Sequence, residues 1–150
     1  MMDQRISSFI KAQKNLTFCT SEENIPYCSN CFYAFVEQWQ CLVFKSNQST
    51  RHIQHALKNP HVAGTILPDL GKIGSIQGIQ FTGKFCAVSG KKVDVAKKAY
   101  YSRHPMALTM RGDLWVISLM EIKMTDNTFG FGGKVHWQRT NEEDFLSSDQ

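Results

Sequence analysis

The sequence lacks any long hydrophobic run. None of its 150 residues belong to a stretch of about 18 consecutive apolar residues, which is the length that a membrane-spanning helix needs. Residues 1–5 lead into a polar, amphipathic segment rather than into the apolar core of a secretory signal. We therefore expect no membrane association and a cytoplasmic location.

The short motifs of the common hydrolases are also missing. The chain contains neither Gly-x-Ser-x-Gly nor His-Glu-x-x-His, and no two carboxylates stand where a fold would obviously pair them. The glycine-rich residues 125–133 superficially resemble a nucleotide loop, but no helix is predicted after them, as a dinucleotide fingerprint would require. We predict an Asx-rich turn and a glycine hairpin there, and no hydrolytic chemistry.

Cysteine is the residue whose spacing most invites a metal or redox interpretation. In the cytoplasm the five cysteines are expected to be buried, reduced thiols. Cys28 and Cys31 have the Cys-x-x-Cys spacing, but residues three apart in a strand point to opposite faces. Because a second pair at matching spacing is missing, we predict no metal site. The five are Cys19, Cys28, Cys31, Cys41 and Cys86.

The composition is that of one globular domain. Hydrophobic residues make up 42% and charged residues 20% of the chain, and no repeat is visible. We expect a single domain over residues 1–150, in which residues 140–150 form a flexible acidic tail.

The net charge is 17 minus 13, or +4, and it would help to attract an anionic ligand. Nucleic-acid binding is not favoured, because the aromatic residues lie in strand patterns rather than interleaved with basic residues.

Hydrophobic periodicity predicts a mainly β protein. Helical spacing occurs at residues 3–14 and 91–103, and a shorter helix follows residue 50. Six or seven short strands with two or three inserted helices favour a small antiparallel split β-barrel over an alternating α/β sheet. The predicted strands cover residues 16–20, 26–36, 40–45, 62–67, 74–88, 115–123 and 134–137.

The second predicted strand has two partly apolar faces. One face carries Cys28, Asn30 and Phe32, and the other begins with Ser29 and Cys31. One of these faces must point into the barrel. A dimer partner or a flat aromatic ligand would cover the other.

The helix after residue 50 begins unusually. Ser49 or Thr50 is the natural N-cap, yet the first turn holds Arg51 and His52 where Asp or Glu is usual. Ile53, Ala56 and Leu57 share its apolar face, and Asn59-Pro60 ends it. Hydroxyls, free amides and a guanidinium at one point would bind a phosphate; the alternative is an ordinary cap beside a solvated cation.

These residues resemble a known segment. Thr50-Arg51-His52, the closing Asn59-Pro60 and the strand that follows are similar to the phosphate-binding segment of the pyridoxamine 5′-phosphate oxidase-like, FMN-binding split-barrel superfamily. The resemblance covers nearly the whole chain. It extends to residues 78–83 and 123–132, through which it is nearest to the small bacterial YhbP-like family. His52 stands where the oxidases have lysine, and the second strand lacks their basic residues.

The resemblance implies a function and a set of binding residues. It implies an FMN-dependent oxidoreductase whose substrate and catalytic residues are unknown, with the flavin at the interface of a homodimer. The alternative is a non-catalytic protein that binds FMN, another phosphorylated small molecule or haem. Lys134 and His136 lie where the oxidases contact their substrate, and Asn30 would face the flavin ring. The implied phosphate ligands are Ser46, Ser49, Thr50, Arg51 and His52.

Overall fold

The computed structural model describes residues 1–129 and 133–140. Within these ranges the helices are α1 (Gln4–Ala12), α2 (Arg51–Lys58) and α3 (Lys92–Arg103). The strands are β1 (Asn15–Glu22), β2 (Ile25–Val36), β3 (Cys41–Ser46), β4 (His61–Ile66), β5 (Gln77–Ala87), β6 (Asp113–Asp126) and β7 (Lys134–Gln138).

The strands form one antiparallel sheet that closes on itself. Their order is β3-β2-β1-β4-β5-β6-β7, and β3 also pairs with β6, from Cys41 opposite Ser118 to Ser46 opposite Asp113. Six strands therefore form a ring, and β7 extends it beyond β6. The predicted antiparallel split barrel is confirmed.

The barrel interior and one end are filled by apolar side chains. Ile6, Phe9 and Ile10 of α1 are buried and belong to the same apolar cluster as the inward-facing side chains of the strands. The hydroxyl of Tyr33 on β2 donates to the carbonyl of Ile10 at 2.7 Å, which ties the helix to the barrel wall. A second apolar cluster lies between the outer side of β2–β3 and α3, where Ala96 and Tyr100 are buried.

The predicted apolar face of α2 is wrong at one position. Ile53 and Ala56 are buried, but Leu57 is 47% exposed and His55 is buried instead. The imidazole of His55 lies 3.2 Å from the hydroxyl of Thr20 on β1. Periodicity alone counts His55 as polar, since it contains no information about this partner.

The first hairpin is longer than predicted. Residues 21–24 were expected to form its turn, but β1 continues to Glu22 and β2 starts at Ile25. Only Glu23 and Asn24 form the turn, with φ values of 50° and 65°. Two central residues with positive φ make the type I′ turn that suits the twist of paired strands.

Three of the five cysteines depart from the prediction of buried thiols. Cys31 and Cys41 are buried, whereas Cys19 and Cys86 are half-buried and Cys28 is exposed. Cys28 and Cys31 do lie on opposite faces of β2, as the alternation required.

Two predictions fall outside the described residues in whole or in part. The glycine hairpin includes residues 130–132, and the acidic tail includes residues 141–150. Over the part of the chain that is described, none of the helices is both long enough and apolar enough to cross a membrane.

Candidate functional site

The loop between β3 and α2 is organised by Asn47. Its side-chain oxygen accepts hydrogen bonds from the amide and the hydroxyl of Ser49, both at 2.9 Å. Its carbonyl accepts from the amide of Thr50 at 3.1 Å and from the Thr50 hydroxyl at 2.8 Å. This Asx turn directs the chain from the strand into the helix.

The predicted side-chain cap of α2 is not formed. Thr50 occupies the N-cap position, but no hydroxyl accepts a hydrogen bond from the first turn. The hydroxyls of Ser49 and Thr50 instead donate to Asn47. Among residues 1–129 and 133–140, the amides of Arg51, His52 and Ile53 have no hydrogen-bond acceptor. The first turn therefore presents unpaired N–H groups and no acidic side chain.

Two hydroxyls and an imidazole meet beside this turn. The Nε2 atom of His52 lies 2.7 Å from the hydroxyl of Ser46 and 3.3 Å from that of Thr50. The two hydroxyls are 3.4 Å apart. The backbone of Ser46 is fixed in turn, since its carbonyl accepts from the indole of Trp115 at 2.9 Å. We call Ser46, Thr50 and His52 the hydroxyl–imidazole cluster.

Burial sets the protonation state of His52. Its ring is half-buried and packs edge-on against Phe18, with 6.0 Å between the ring centroids. Desolvation lowers the pKa of His52 below its ordinary value. The side chain is therefore neutral near pH 7 and offers one donor and one acceptor rather than a positive charge.

Arg51 makes a different set of contacts. Its guanidinium carbon lies 4.3 Å from the centroid of the Tyr27 ring, and its Nε donates to Nε2 of His55 at 3.4 Å. The same His55 nitrogen is 3.3 Å from one carboxylate oxygen of Glu22, and the other oxygen of that carboxylate accepts from Lys58 at 2.7 Å. Within the described residues, Arg51 makes no hydrogen bond to the hydroxyl–imidazole cluster.

Asn30 lies on the exposed face of β2. Its amide donates weakly, at 3.4 Å in each case, to the side chains of Asn15 and Thr17 and to the carbonyl of Leu16. It lines an open groove of 610 Å³ with Phe32, which is 58% exposed. The groove also offers an apolar surface beside an amide.

Lys134 and His136 share the exposed face of β7, with Val135 buried between them. They stand opposite Thr125 and Lys123 of β6. His136 also lines a cleft of 440 Å³ on the outer face of β5–β7, together with Gln80, Thr82, Glu121 and Lys123. The structure therefore distributes the predicted residues over three regions of one chain: the loop before α2, the β2 face and the β7 face.

Sequence reasoning missed two features of the site. Asn47 stands two residues before Ser49, a spacing typical of Asx turns, and this signal could have been used. Tyr27 and Glu22, which surround Arg51 and His55, gave no such signal because they come from the first hairpin.

The pKa of His52 predicts how stability depends on pH. Because its pKa is lower in the folded state than in the unfolded state, the unfolded protein binds more protons as pH falls through about 6.5. The free energy of unfolding should therefore decrease below this pH, and the decrease should be complete once the pH lies below the folded pKa. Urea denaturation between pH 7.5 and 5 measures it.

The matched variant is His52→Gln, which keeps a polar side chain but cannot titrate. Its stability should change less with pH over this window than that of the wild type. If the free energy of unfolding of His52→Gln depended on pH as strongly as that of the wild type, another group would be responsible for the pH dependence. The lowered pKa values of Asp3 and Glu22 contribute only at more acidic pH, around the ordinary range of carboxyl groups.

Comparison with known proteins gives relatives that match most of the chain. None of the available family models matches. A UPF0306 protein from Serratia proteamaculans is 39% identical over 137 residues, which cover 91% of this chain and 95% of the relative. Another UPF0306 protein, from Photorhabdus laumondii, is 40% identical over 136 residues, with 91% and 95% covered.

Solved structures share the fold at low sequence identity. A haem-binding protein from Mycobacterium smegmatis superposes with a TM-score of 0.76 at 13% identity, covering 92% of this chain and 59% of the other. An FAD-binding protein from Mesorhizobium loti gives 0.69 at 12% identity, with 84% and 95% covered. A protein of the pyridoxine phosphate oxidase family from Clostridium acetobutylicum gives 0.62 at 11% identity, with 89% and 92% covered.

Proposed function

Because this chain belongs to the UPF0306 family and has the split-barrel fold of the pyridoxamine 5′-phosphate oxidase-like proteins, we propose that it binds FMN. The phosphate would lie at the N-terminus of α2. Solved proteins of this fold include one that binds haem and one that binds FAD, and both of these cofactors have a planar ring system. The choice of FMN rests on the phosphate site.

The observation that carries the proposal is the uncapped first turn of α2. Three successive amides lack acceptors in the described structure, although helix termini are normally capped. The N-terminal end of a helix also carries partial positive charge. A phosphate placed there would accept hydrogen bonds from these amides and from the hydroxyl of Ser46. The Thr50 hydroxyl would donate to it after turning away from the Asn47 carbonyl.

Other residues of the loop have supporting roles. Neutral His52 would act as a hydrogen-bond donor to a phosphate oxygen, and Ser49 would add a hydroxyl at the rim. Arg51 supplies the positive charge nearest to the turn, either from its position over Tyr27 or after rotating toward the phosphate. The loss of one such charge-assisted contact costs about 1.5–3 kcal/mol, or roughly a 10- to 150-fold change in affinity.

The remaining predicted residues would act in a homodimer. Asn30 would lie beside the flavin ring in the groove on β2, where exposed Phe32 offers an aromatic surface. Lys134 and His136 would reach the substrate from the partner chain. When bound, the flavin would accept a hydride from the substrate; this chain would position the two and exclude water.

A non-catalytic binding function is favoured by one observation. The exposed face of β2 carries Pro26, Cys28, Asn30 and Phe32, and none of these is basic. A flavin ring there would have no positive charge on this strand to stabilise its reduced, anionic form. The same surface would accept haem or another phosphorylated small molecule.

The decisive experiment compares FMN with riboflavin, which lacks the phosphate. Titrated into the purified full-length protein and followed by flavin fluorescence, FMN should bind at least about tenfold more tightly than riboflavin, because only FMN engages the α2 turn. Arg51→Ala should reduce this preference about tenfold or more.

The control is Lys97→Ala, which removes an exposed positive charge from α3, a helix that the proposal does not use. Its FMN affinity should stay within about twofold of the wild type, because α3 contributes no group to the proposed phosphate site. Equal binding of FMN and riboflavin would overturn the phosphate assignment. A Soret shift with haemin in a protein that binds neither flavin would establish the haem alternative.

A further inference from the structure

Two thiols face each other across the first hairpin. Cys19 on β1 is the direct partner of Cys28 on β2, and their sulfur atoms are 3.2 Å apart. Sequence inspection paired Cys28 with Cys31 through their spacing, but Cys31 is buried on the other face of the strand. The pair defined by the fold is therefore Cys19–Cys28.

The hairpin register favours a bond between them. In a hairpin with a two-residue turn, the residues flanking the turn, here Glu22 and Ile25, form a hydrogen-bonded pair. Such pairs alternate with non-hydrogen-bonded pairs along the ladder, so Cys19 and Cys28, three steps further, form a non-hydrogen-bonded pair. The Cα atoms of such pairs are about 4.5 Å apart, which lies within the range that a disulfide spans.

The pair is accessible to small molecules. Cys28 is exposed, and Cys19 is half-buried. Cys19 lines an open cleft of 570 Å³ whose wall also includes His61 and Lys84. Burial, and then the Cys28 thiol, raise the pKa of Cys19 to about 11, so Cys19 is protonated at neutral pH and can donate its S–H to the Cys28 sulfur.

We infer that Cys19 and Cys28 form a reversible thiol–disulfide site that is oxidised by a hydroperoxide. The exposed Cys28 thiolate attacks the peroxide oxygen, giving a sulfenic acid and releasing hydroxide or alkoxide, which takes up a proton. The Cys19 sulfur then attacks the sulfenic sulfur, loses its proton and releases water. The sum is two thiols plus ROOH giving one disulfide, ROH and water, and a dithiol reverses the oxidation.

This site is independent of cofactor binding and can be tested on the protein alone. Treatment of the native, full-length protein with hydrogen peroxide, followed by alkylation after denaturation, should reduce the alkylated thiols from five to three. Trypsin cannot separate Cys19 from Cys28, because residues 15–44 contain no Lys or Arg. Cleavage after Glu22 and Glu23 does separate them, and a linked peptide that dithiothreitol releases identifies the bond.

Two substitutions assign the partners. In Cys28→Ser, loss of the Cys19 thiol should slow by at least about tenfold, because the exposed sulfur is gone. In Cys19→Ser, the Cys28 sulfenic acid should persist and be captured by dimedone. Cys31→Ala is the matched control: it should form the same linked peptide, which excludes a bond to Cys31.

Three results would overturn the inference. The first is a native protein that keeps all five thiols at peroxide concentrations that oxidise the denatured chain. The second is a linked peptide that disappears in Cys31→Ala. The third is oxidation of Cys28 to sulfinic acid, or into a bond between two chains, without loss of the Cys19 thiol in the same molecule.

Discussion

Replacing Gly64 by valine should lower the free energy of unfolding by about 4 kcal/mol or more, or prevent folding altogether. Gly64 lies in β4, between β1 and β5. A Cβ atom at this position would lie 2.2 Å from the carbonyl oxygen of Thr17 and 2.4 Å from the ring of Phe81. Thr17 belongs to the paired backbone of β1, so its carbonyl cannot withdraw without breaking the pairing of β1 with β4. The Phe81 ring is buried and has little room to move.

Urea denaturation of three variants tests this expectation. Gly64→Ala should be destabilised strongly, though less than Gly64→Val, because the clash with Thr17 begins at Cβ. Gly71→Ala is the matched control, since its Cβ would have no neighbour within 4 Å; it should change stability by no more than about 0.5 kcal/mol. Equal stability of the Gly64 and Gly71 variants would mean that β1 and β4 do not approach as described.

The strands were predictable because alternation is a local property. Each predicted strand corresponds to an observed one, and the antiparallel barrel follows from many short strands with few helices. The pairing of β3 with β6 was not predictable from any pattern, since residues 41–46 meet residues 113–118 only in the closed ring. Gly64 shows the same limit, because its close neighbours come from β1 and β5.

The geometry expected at residues 46–52 differs from the observed one in the position of Arg51, whereas the phosphate site itself stays a prediction. The unusual basic first turn of α2 indicated this segment. The expectation that Arg51 points toward the same spot as the hydroxyls could not include Tyr27, a residue 24 positions earlier whose ring lies against the guanidinium. The predicted buried face of α2 likewise omits His55, because its partners Thr20 and Glu22 are remote in sequence.

The pairing of Cys19 with Cys28 was not predicted, because the predicted turn of the first hairpin was two residues too long. A four-residue turn at 21–24 left the register of the hairpin undefined, whereas the two-residue turn at Glu23-Asn24 aligns Cys19 with Cys28. Strand register is fixed by turn length. Once that length is known, the thiol pair follows from counting.

Gly112→Ala is expected to have the second large effect, on both the stability of the protein and its affinity for FMN. Gly112 precedes β6 with φ of +139°, and a Cβ there would lie 3.1 Å from the carbonyl carbon of Ser46 and 3.3 Å from the amide nitrogen of Asn47. Backbone strain together with this contact should lower the free energy of unfolding by about 2–4 kcal/mol. Because the displaced atoms begin the loop before α2, FMN affinity should also fall by about tenfold.

Gly90→Ala separates the effect of backbone strain from the effect of contact with the loop before α2. Gly90 also has a positive φ, +62°, but a Cβ there would meet no atom within 4 Å. It should cost about 1–2 kcal/mol through backbone conformation alone and leave FMN affinity unchanged, since α2 is not involved. Urea denaturation and flavin titration on both variants give the comparison. If Gly112→Ala folded but bound FMN as tightly as Gly90→Ala does, the loop at residues 46–50 would not hold the phosphate, and the flavin would have to be bound by the β2 and β7 faces alone.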